Sequence, residues 1–266
     1  MNSVINIIIF IVGLFLGNLF NYIGSRLSND KNFIYTSCKE CNNKKSIFTI
    51  SLIDYVLNLG RCKKCLSKAS ILPVLYELLT GVVFVFTYHA FLNSDPKIII
   101  LLYSFLFISS LLIIFISDIK YMIIPDEILI FFTIILVFLK IYLAFYNEEI
   151  KNFMDVCYEI IFFLYNGLFM FLVIYIIKKI GDKITKKDSL GYGDVKMMFY
   201  ISMLMGWKIS LFIVFFASFL SLPVCTYQLY KDDRKVMIAF GPYLALSTII
   251  VYLLKIDITE LLSYIM

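Results

Sequence analysis

The stretch Leu190-Gly191-Tyr192-Gly193-Asp194-Val195-Lys196 stands where a lysine-rich segment, residues 178–188, gives way to an apolar one, residues 197–205. Such a junction reads as a membrane boundary, where a carboxylate is costly if it enters lipid and marks a functional site by default. The two glycines before Asp194 let the backbone turn tightly or admit another chain at close range. Taken alone, the same residues also suit an aspartate that caps the next helix. The composition supplies the frame. The chain is 61% hydrophobic and only 16% charged, with mean hydropathy +0.90, whereas a soluble domain carries about 25% charged residues. It reads as an all-α polytopic membrane protein embedded in a lipid bilayer. Its net charge of +5 resides in loops, so it reports topology and gives no indication of a nucleic-acid partner.

Working outward, apolar runs near the ~20 residues that a hydrocarbon core requires lie at residues 4–23, 72–92, 98–116, 128–146, 156–177, 195–205, 209–229 and 240–254. The sixth is short and carries polar residues, which predicts a tilted or partly interfacial helix. Loops 24–71, 117–127, 178–196 and 230–239 hold 19 of the 24 Lys and Arg residues. Positive charge favours the cytoplasm, so the chain reads as about eight transmembrane helices with both ends outside. Asp118 and Asp194 then share the cytoplasmic side. The expected division is a first transmembrane helix (1–23), a cytoplasmic loop (24–71) and a transmembrane core (72–266). The first run lacks a small-residue cleavage site and reads as a retained helix.

The cytoplasmic loop is too short to build its own core, and segments of that size usually need a metal or disulfides. It carries Cys38-Lys39-Glu40-Cys41 and Cys62-Lys63-Lys64-Cys65, with 20 residues between Cys41 and Cys62. This is the spacing of a four-thiolate zinc ribbon. Cytoplasmic thiols stay reduced, which favours structural zinc over disulfides. Four thiolates leave the metal no open position. Cys157 and Cys225 fall in or near spans and read as packing residues.

Asp118 follows the third span and precedes Ile124-Pro125-Asp126. Pro125 stops the helix and holds Ile124 extended, and Asp126 with Glu127 enters the first turn of the next helix, where negative charge is favoured. Asp118 instead sits at a helix C-terminus, where the dipole disfavours an anion, so it calls for a compensating partner. Asp194 is a candidate. Two adjacent carboxylates share a proton; one can then activate water while the other protonates the scissile group. Lys196 either tunes Asp194, meets an acidic group of the substrate, or snorkels at the interface. His89, the only histidine, falls at the outer side and cannot serve a cytoplasmic triad. Zinc-protease and Walker motifs are absent from the sequence. A cation-coupled transporter using both aspartates is the alternative from another class.

Several stretches together resemble the type IV prepilin peptidase family, membrane aspartic proteases of the GxGD type. They are Gly13-Leu14-Phe15-Leu16-Gly17-Asn18 with Arg26-Leu27, the paired CxxC loop, Glu77-Leu78-Leu79-Thr80-Gly81, Asp118 with Ile124-Pro125-Asp126, Gly191-Tyr192-Gly193-Asp194-Val195-Lys196, and Phe240-Gly241-Pro242-Tyr243-Leu244-Ala245-Leu246. The resemblance implies cleavage of the basic leader from prepilin or pseudopilin precursors at the cytoplasmic face of the bacterial inner membrane. It implies Asp118 and Asp194 as the catalytic pair, supported by Gly191, Gly193, Lys196, Pro125 and Asp126, with Cys38, Cys41, Cys62 and Cys65 as zinc ligands. Many members also methylate the new N-terminus, which makes S-adenosylmethionine a candidate second cofactor. Lys39 replaces a common proline, a Trp-Tyr-Asp-Asn stretch is not recognisable between Asn42 and Ile50, and Pro73 lies one position nearer the cysteines than usual. These departures fall in the loop that the resemblance associates with methyl transfer. Gly13 and Gly17 also read as a small-residue packing face.

Overall fold

The computed structural model describes residues 2–28, 50–147, 150, 152–186, 190–230 and 239–256, with the side chains of Asn2, Ser28 and Leu229 excepted. These residues form α1 (Asn2–Ser28), α2 (Ser51–Leu57), α3 (Leu72–Phe91), α4 (Lys97–Tyr121), α5 (Asp126–Tyr146), α6 (Phe153–Thr185), α7 (Tyr192–Met205), α8 (Trp207–Tyr230) and α9 (Gly241–Leu253). All eight expected apolar runs are helical. Among the described residues, six helices are long and apolar enough to cross a membrane: α1, α3, α4, α5, α6 and α8. At 14 and 13 residues, α7 and α9 reach only about 20 Å at 1.5 Å per residue, short of a hydrocarbon core of roughly 30 Å. α1 runs past the expected boundary to Ser28, and α2 forms within the segment read as loop.

The shortness of α7 and α9 matches their place. Together with α4 they make up the interior, and the longer helices surround them and meet lipid. Phe107, Ile108, Leu111, Leu112, Ile114 and Ile116 of α4 are fully buried, as are Val195, Met197 and Ile201 of α7 and Leu244 and Ala245 of α9. By contrast, α5, α6 and α8 expose apolar faces, among them Phe131, Phe138, Ile161, Phe162, Phe215 and Phe219.

Two buried tyrosine–serine bonds fix the short helices to α4. Tyr200 of α7 bonds Ser110 at 2.5 Å, and Tyr252 of α9 bonds Ser104 at 2.7 Å. Phe107 lies between them, with its ring centroid 6.0 Å from Tyr200 and 5.0 Å from Tyr252. A hydroxyl in an apolar interior must find a partner, so these pairs fix both register and distance.

On the other side of α4, α1 and α3 pack backbone to backbone. A Cβ on Gly13 would stand 2.6 Å from Gly81 Cα, and one on Gly17 would stand 2.7 Å from Glu77 Cα. The packing reading of these glycines therefore holds. Gly13→Val should separate α1 from α3 and destabilise the protein by about 1–3 kcal/mol, the cost of overpacking. Thermal unfolding in detergent would check this against Ile11→Val on the exposed side of α1.

Candidate active site

α4 ends in a way that carries its last turn directly into the next helix. Met122 adopts a left-handed conformation, φ 54°, and its N–H donates to the Asp118 carbonyl at 2.9 Å. Ser117 Oγ donates to the Ile123 carbonyl at 2.7 Å. Pro125 is extended at φ −67°, ψ 123°, and is the N-cap of α5, as expected for a proline that cannot continue a helix. This tight corner leaves Asp118 in the last turn of α4 and Asp126 in the first turn of α5.

The glycine-rich stretch starts α7. Gly191 is its N-cap, so Asp194 occupies the third helical position and does not itself cap the helix. The Gly191 N–H donates back to the Asp194 carboxylate. This is one half of a capping box, so the capping and functional readings of Asp194 coexist. Asp118 accepts the N–H of Gly241, the first residue of α9. The anion that sits unfavourably at the end of α4 is thus met by the positive end of another helix.

Both carboxylates are buried, Asp118 at 5% and Asp194 at 7% exposure, and they are close enough for the charge of Asp118 to act on Asp194. Burial, and after it that neighbouring charge, raises the Asp194 carboxyl from an ordinary 3.8 to about 7 against the lowering effect of the Gly191 N–H. Ile124 wedges between two glycines. Its side chain would lie 3.3 Å from a Cβ on Gly193 and 3.2 Å from one on Gly241.

Lys196 projects outward and grips Asp126 with bonds of 2.9 and 2.6 Å. The two aspartate motifs are therefore tied together by an ion pair at the rim. Beside it, an apolar groove of about 520 Å³ runs between α5, α6 and α7, lined by Leu129, Ile134, Phe171 and Phe199 among others.

Cys62 and Cys65 occupy a tight turn. The Cys62 N–H donates to Ser67 O at 2.9 Å, the Leu66 N–H donates to Cys62 O at 3.0 Å, and Arg61 bridges Lys68 in antiparallel fashion. The turn holds both cysteines of one CxxC, with Cys62 buried and Cys65 exposed, the Cys65 Sγ lying 3.0 Å from Ser67 Oγ. Cys38 and Cys41 lie outside the described residues. Among the described residues, no group of three potential ligands assembles a metal site. The fully buried Glu77 anchors this region, accepting the N–H groups of Ser51 at 2.6 Å and Leu52 at 2.9 Å at the start of α2.

The family model described as the type IV leader peptidase family matches residues 105–226, and the bacterial peptidase A24 N-terminal domain matches residues 11–91. The chain belongs to the type IV leader peptidase family. Three bacterial proteins named prepilin leader peptidase/N-methyltransferase are similar to it. The Vibrio cholerae protein is 27% identical over 95% of this chain and 98% of its own length. That of Dichelobacter nodosus is 26% identical over 85% and 73%. The match to the Bacillus subtilis protein is 31% identical and spans 47% of this chain and half of that relative. No solved structure matches the chain.

Sequence reasoning gave Gly241 no role in the site, although its stretch carried part of the family resemblance. The signal lay in a glycine at the start of a helix, next to Pro242. A Cβ there would overlap Asp118 Oδ2 and stand 3.1 Å from Asp118 Cγ, and backbone already hydrogen-bonded to a buried carboxylate cannot yield cheaply. At Gly193 the nearest atoms, those of the Ile124 side chain, stand 3.3 Å away and need give by only a few tenths of an ångström. Gly241→Ala should therefore lower leader cleavage by about a hundredfold, the cost of displacing a reacting group by about 1 Å, with a smaller loss for Gly193→Ala. Cleavage assays at matched protein levels in membranes would rank the two.

Proposed function

We propose that this bacterial multi-pass membrane protein is a leader peptidase that cuts prepilin-like or pseudopilin precursors at the cytoplasmic face, using Asp118 and Asp194. The observation that carries the reading is the buried pair of carboxylates, each satisfied by one helix N-terminal N–H. One ionised carboxylate takes a proton from water as general base. The other, protonated, donates to the scissile carbonyl, and the proton later reaches the leaving amine. Gly191 and Gly193 keep the approach to Asp194 low enough for substrate backbone. The groove beside the Lys196–Asp126 pair would bring an apolar helix of the precursor, moving in the bilayer, to the turn that carries Asp194.

In this reading eight helices enter the membrane, with α7 and α9 too short to face lipid alone. Residues 24–71 are a cytoplasmic insertion between the first transmembrane helix, 1–23, and the transmembrane peptidase core, 72–266. Cys38, Cys41, Cys62 and Cys65 would hold a zinc ion whose chemistry is structural, closing the insertion onto the Glu77-anchored α2. The relatives' names include N-methyl transfer; S-adenosylmethionine would serve that step, and no part of the cleavage mechanism depends on it.

Asp118→Asn and Asp194→Asn should each lower cleavage by at least about a hundredfold, the lower range for a lost acid or base. Mass spectrometry of the product N-terminus would read this, and full processing by either variant would remove that residue from the mechanism.

The pair works with one proton, which Asp194 holds up to about pH 7. As pH rises through that value the acid is lost, and kcat should fall by about tenfold per pH unit. The folded state favours the neutral form of Asp194, so stability should decline as pH rises from 3.8 to about 7 and level off above that. Asp194→Asn should abolish that decline, as followed by thermal unfolding across pH.

Metal analysis of purified protein should find zinc that is lost in Cys38→Ser and Cys62→Ser and kept in Asp118→Asn. Unchanged zinc in both cysteine variants would reject the site.

A further inference from the structure

Lys178 lies on α6 with only 2% of its surface exposed. An ammonium in such a place is costly unless several groups compensate it. Three do so. Asp182, one turn further along α6, approaches its Nζ to 3.3 Å. The carbonyl of Leu190 accepts from it at 2.6 Å. The ring of Tyr192 lies beneath it, 4.5 Å from Nζ to the centroid. Leu190 and Tyr192 flank Gly191, so the lysine grips the chain on both sides of the residue that starts α7.

The connection reaches further. The carbonyl of Leu190 and the N–H of Gly191 are the two ends of one peptide group. The first accepts from Lys178, and the second donates to the Asp194 carboxylate. A hydrogen bond from a cation to a carbonyl polarises the peptide and makes its N–H a stronger donor. Asp194 also faces the carboxylate of Asp118 from α4. The Asp126–Lys196 pair bridges α5 and α7 nearby and is neutral as a whole. α6 thus reaches the site through a peptide group, by an ammonium that is paired with Asp182 and donates to the Leu190 carbonyl.

We infer that Lys178 is a positioning residue for the proposed cleavage, orienting and polarising the Leu190–Gly191 peptide so that the Asp194 carboxyl group is held in place for proton transfer at the scissile bond. This rests on the peptidase reading of the site. Lys178→Met keeps the length of the side chain and suits an apolar helix, but removes both charge and donor. Lys178→Gln keeps an N–H donor without the charge, and Lys178→Arg keeps both.

Two readouts separate the inference from the reading beneath it. In a cleavage assay, Lys178→Met should lose kcat by about tenfold to a hundredfold with KM changed by less than about twofold. Lys178→Arg should recover much of that loss and Lys178→Gln less. The second readout needs no substrate. Infrared titration of the buried carboxyl band, assigned by its disappearance in Asp194→Asn, should move to higher pH in Lys178→Met, because a weaker Gly191 donor stabilises the ionised carboxylate less. If wild type cleaves while both kcat and the titration are unchanged in Lys178→Met and Lys178→Gln, the inference is overturned. If wild type cleaves no precursor but the titration moves, the peptidase reading fails and the coupling of Lys178 to Asp194 stands.

Discussion

A buried carboxylate needs hydrogen-bond donors, and in an apolar helical protein the backbone has few to spare. Within a helix nearly every N–H is committed to a carbonyl one turn back, leaving uncommitted donors only at N-termini. This constraint shapes the centre of the molecule. Asp194 reaches back to Gly191 at the start of α7, and Asp118 is met by Gly241 at the start of α9. Three helix ends must therefore converge on one spot. They can do so only if the residues between them are small or extended, which explains the glycines at 191, 193 and 241 and the Ile124-Pro125 corner.

The interior follows from that convergence. α7 and α9 cannot cross a bilayer unaided, so they sit inside and are fixed to α4 by polar contacts. Ser110 and Ser104 take the hydroxyls of Tyr200 and Tyr252, and Phe107 fills the space between. The depth of each short helix is thereby set from α4, which also carries Asp118. At its other end α7 is held by Lys140, which donates to the Leu204 carbonyl at 2.6 Å. Lys178 holds the chain just before its start. Two lysines from flanking long helices thus bracket the helix that carries Asp194.

α2 is attached by the same kind of contact. Glu77, buried in α3, takes two N–H groups at the start of α2, while Gly17 of α1 packs on Glu77 itself. The helix pair α1–α3 thus also orients α2, whose start is held by one carboxylate.

Much of this was legible in the chain. Hydropathy located all eight apolar helices, because transfer of some 20 side chains into lipid is a sum over local residues and needs no fold. The Pro125 break and the placement of Asp126 were legible for the same reason, since both are local backbone effects. Asp118 could be recognised as an anion in need of a partner, but the main-chain partner could not be named. Gly241 lies more than a hundred residues away, and an N–H group leaves no side-chain signature. Lys178 was one of many lysines in a basic segment; only its burial against Leu190 and Tyr192 distinguishes it. Sequence alone determined which segments are apolar helices and which residue types could do chemistry, because those depend on composition and spacing. Tertiary structure decided which backbone donors face the two aspartates, because a carboxylate is satisfied by whichever helix end the packing delivers to it.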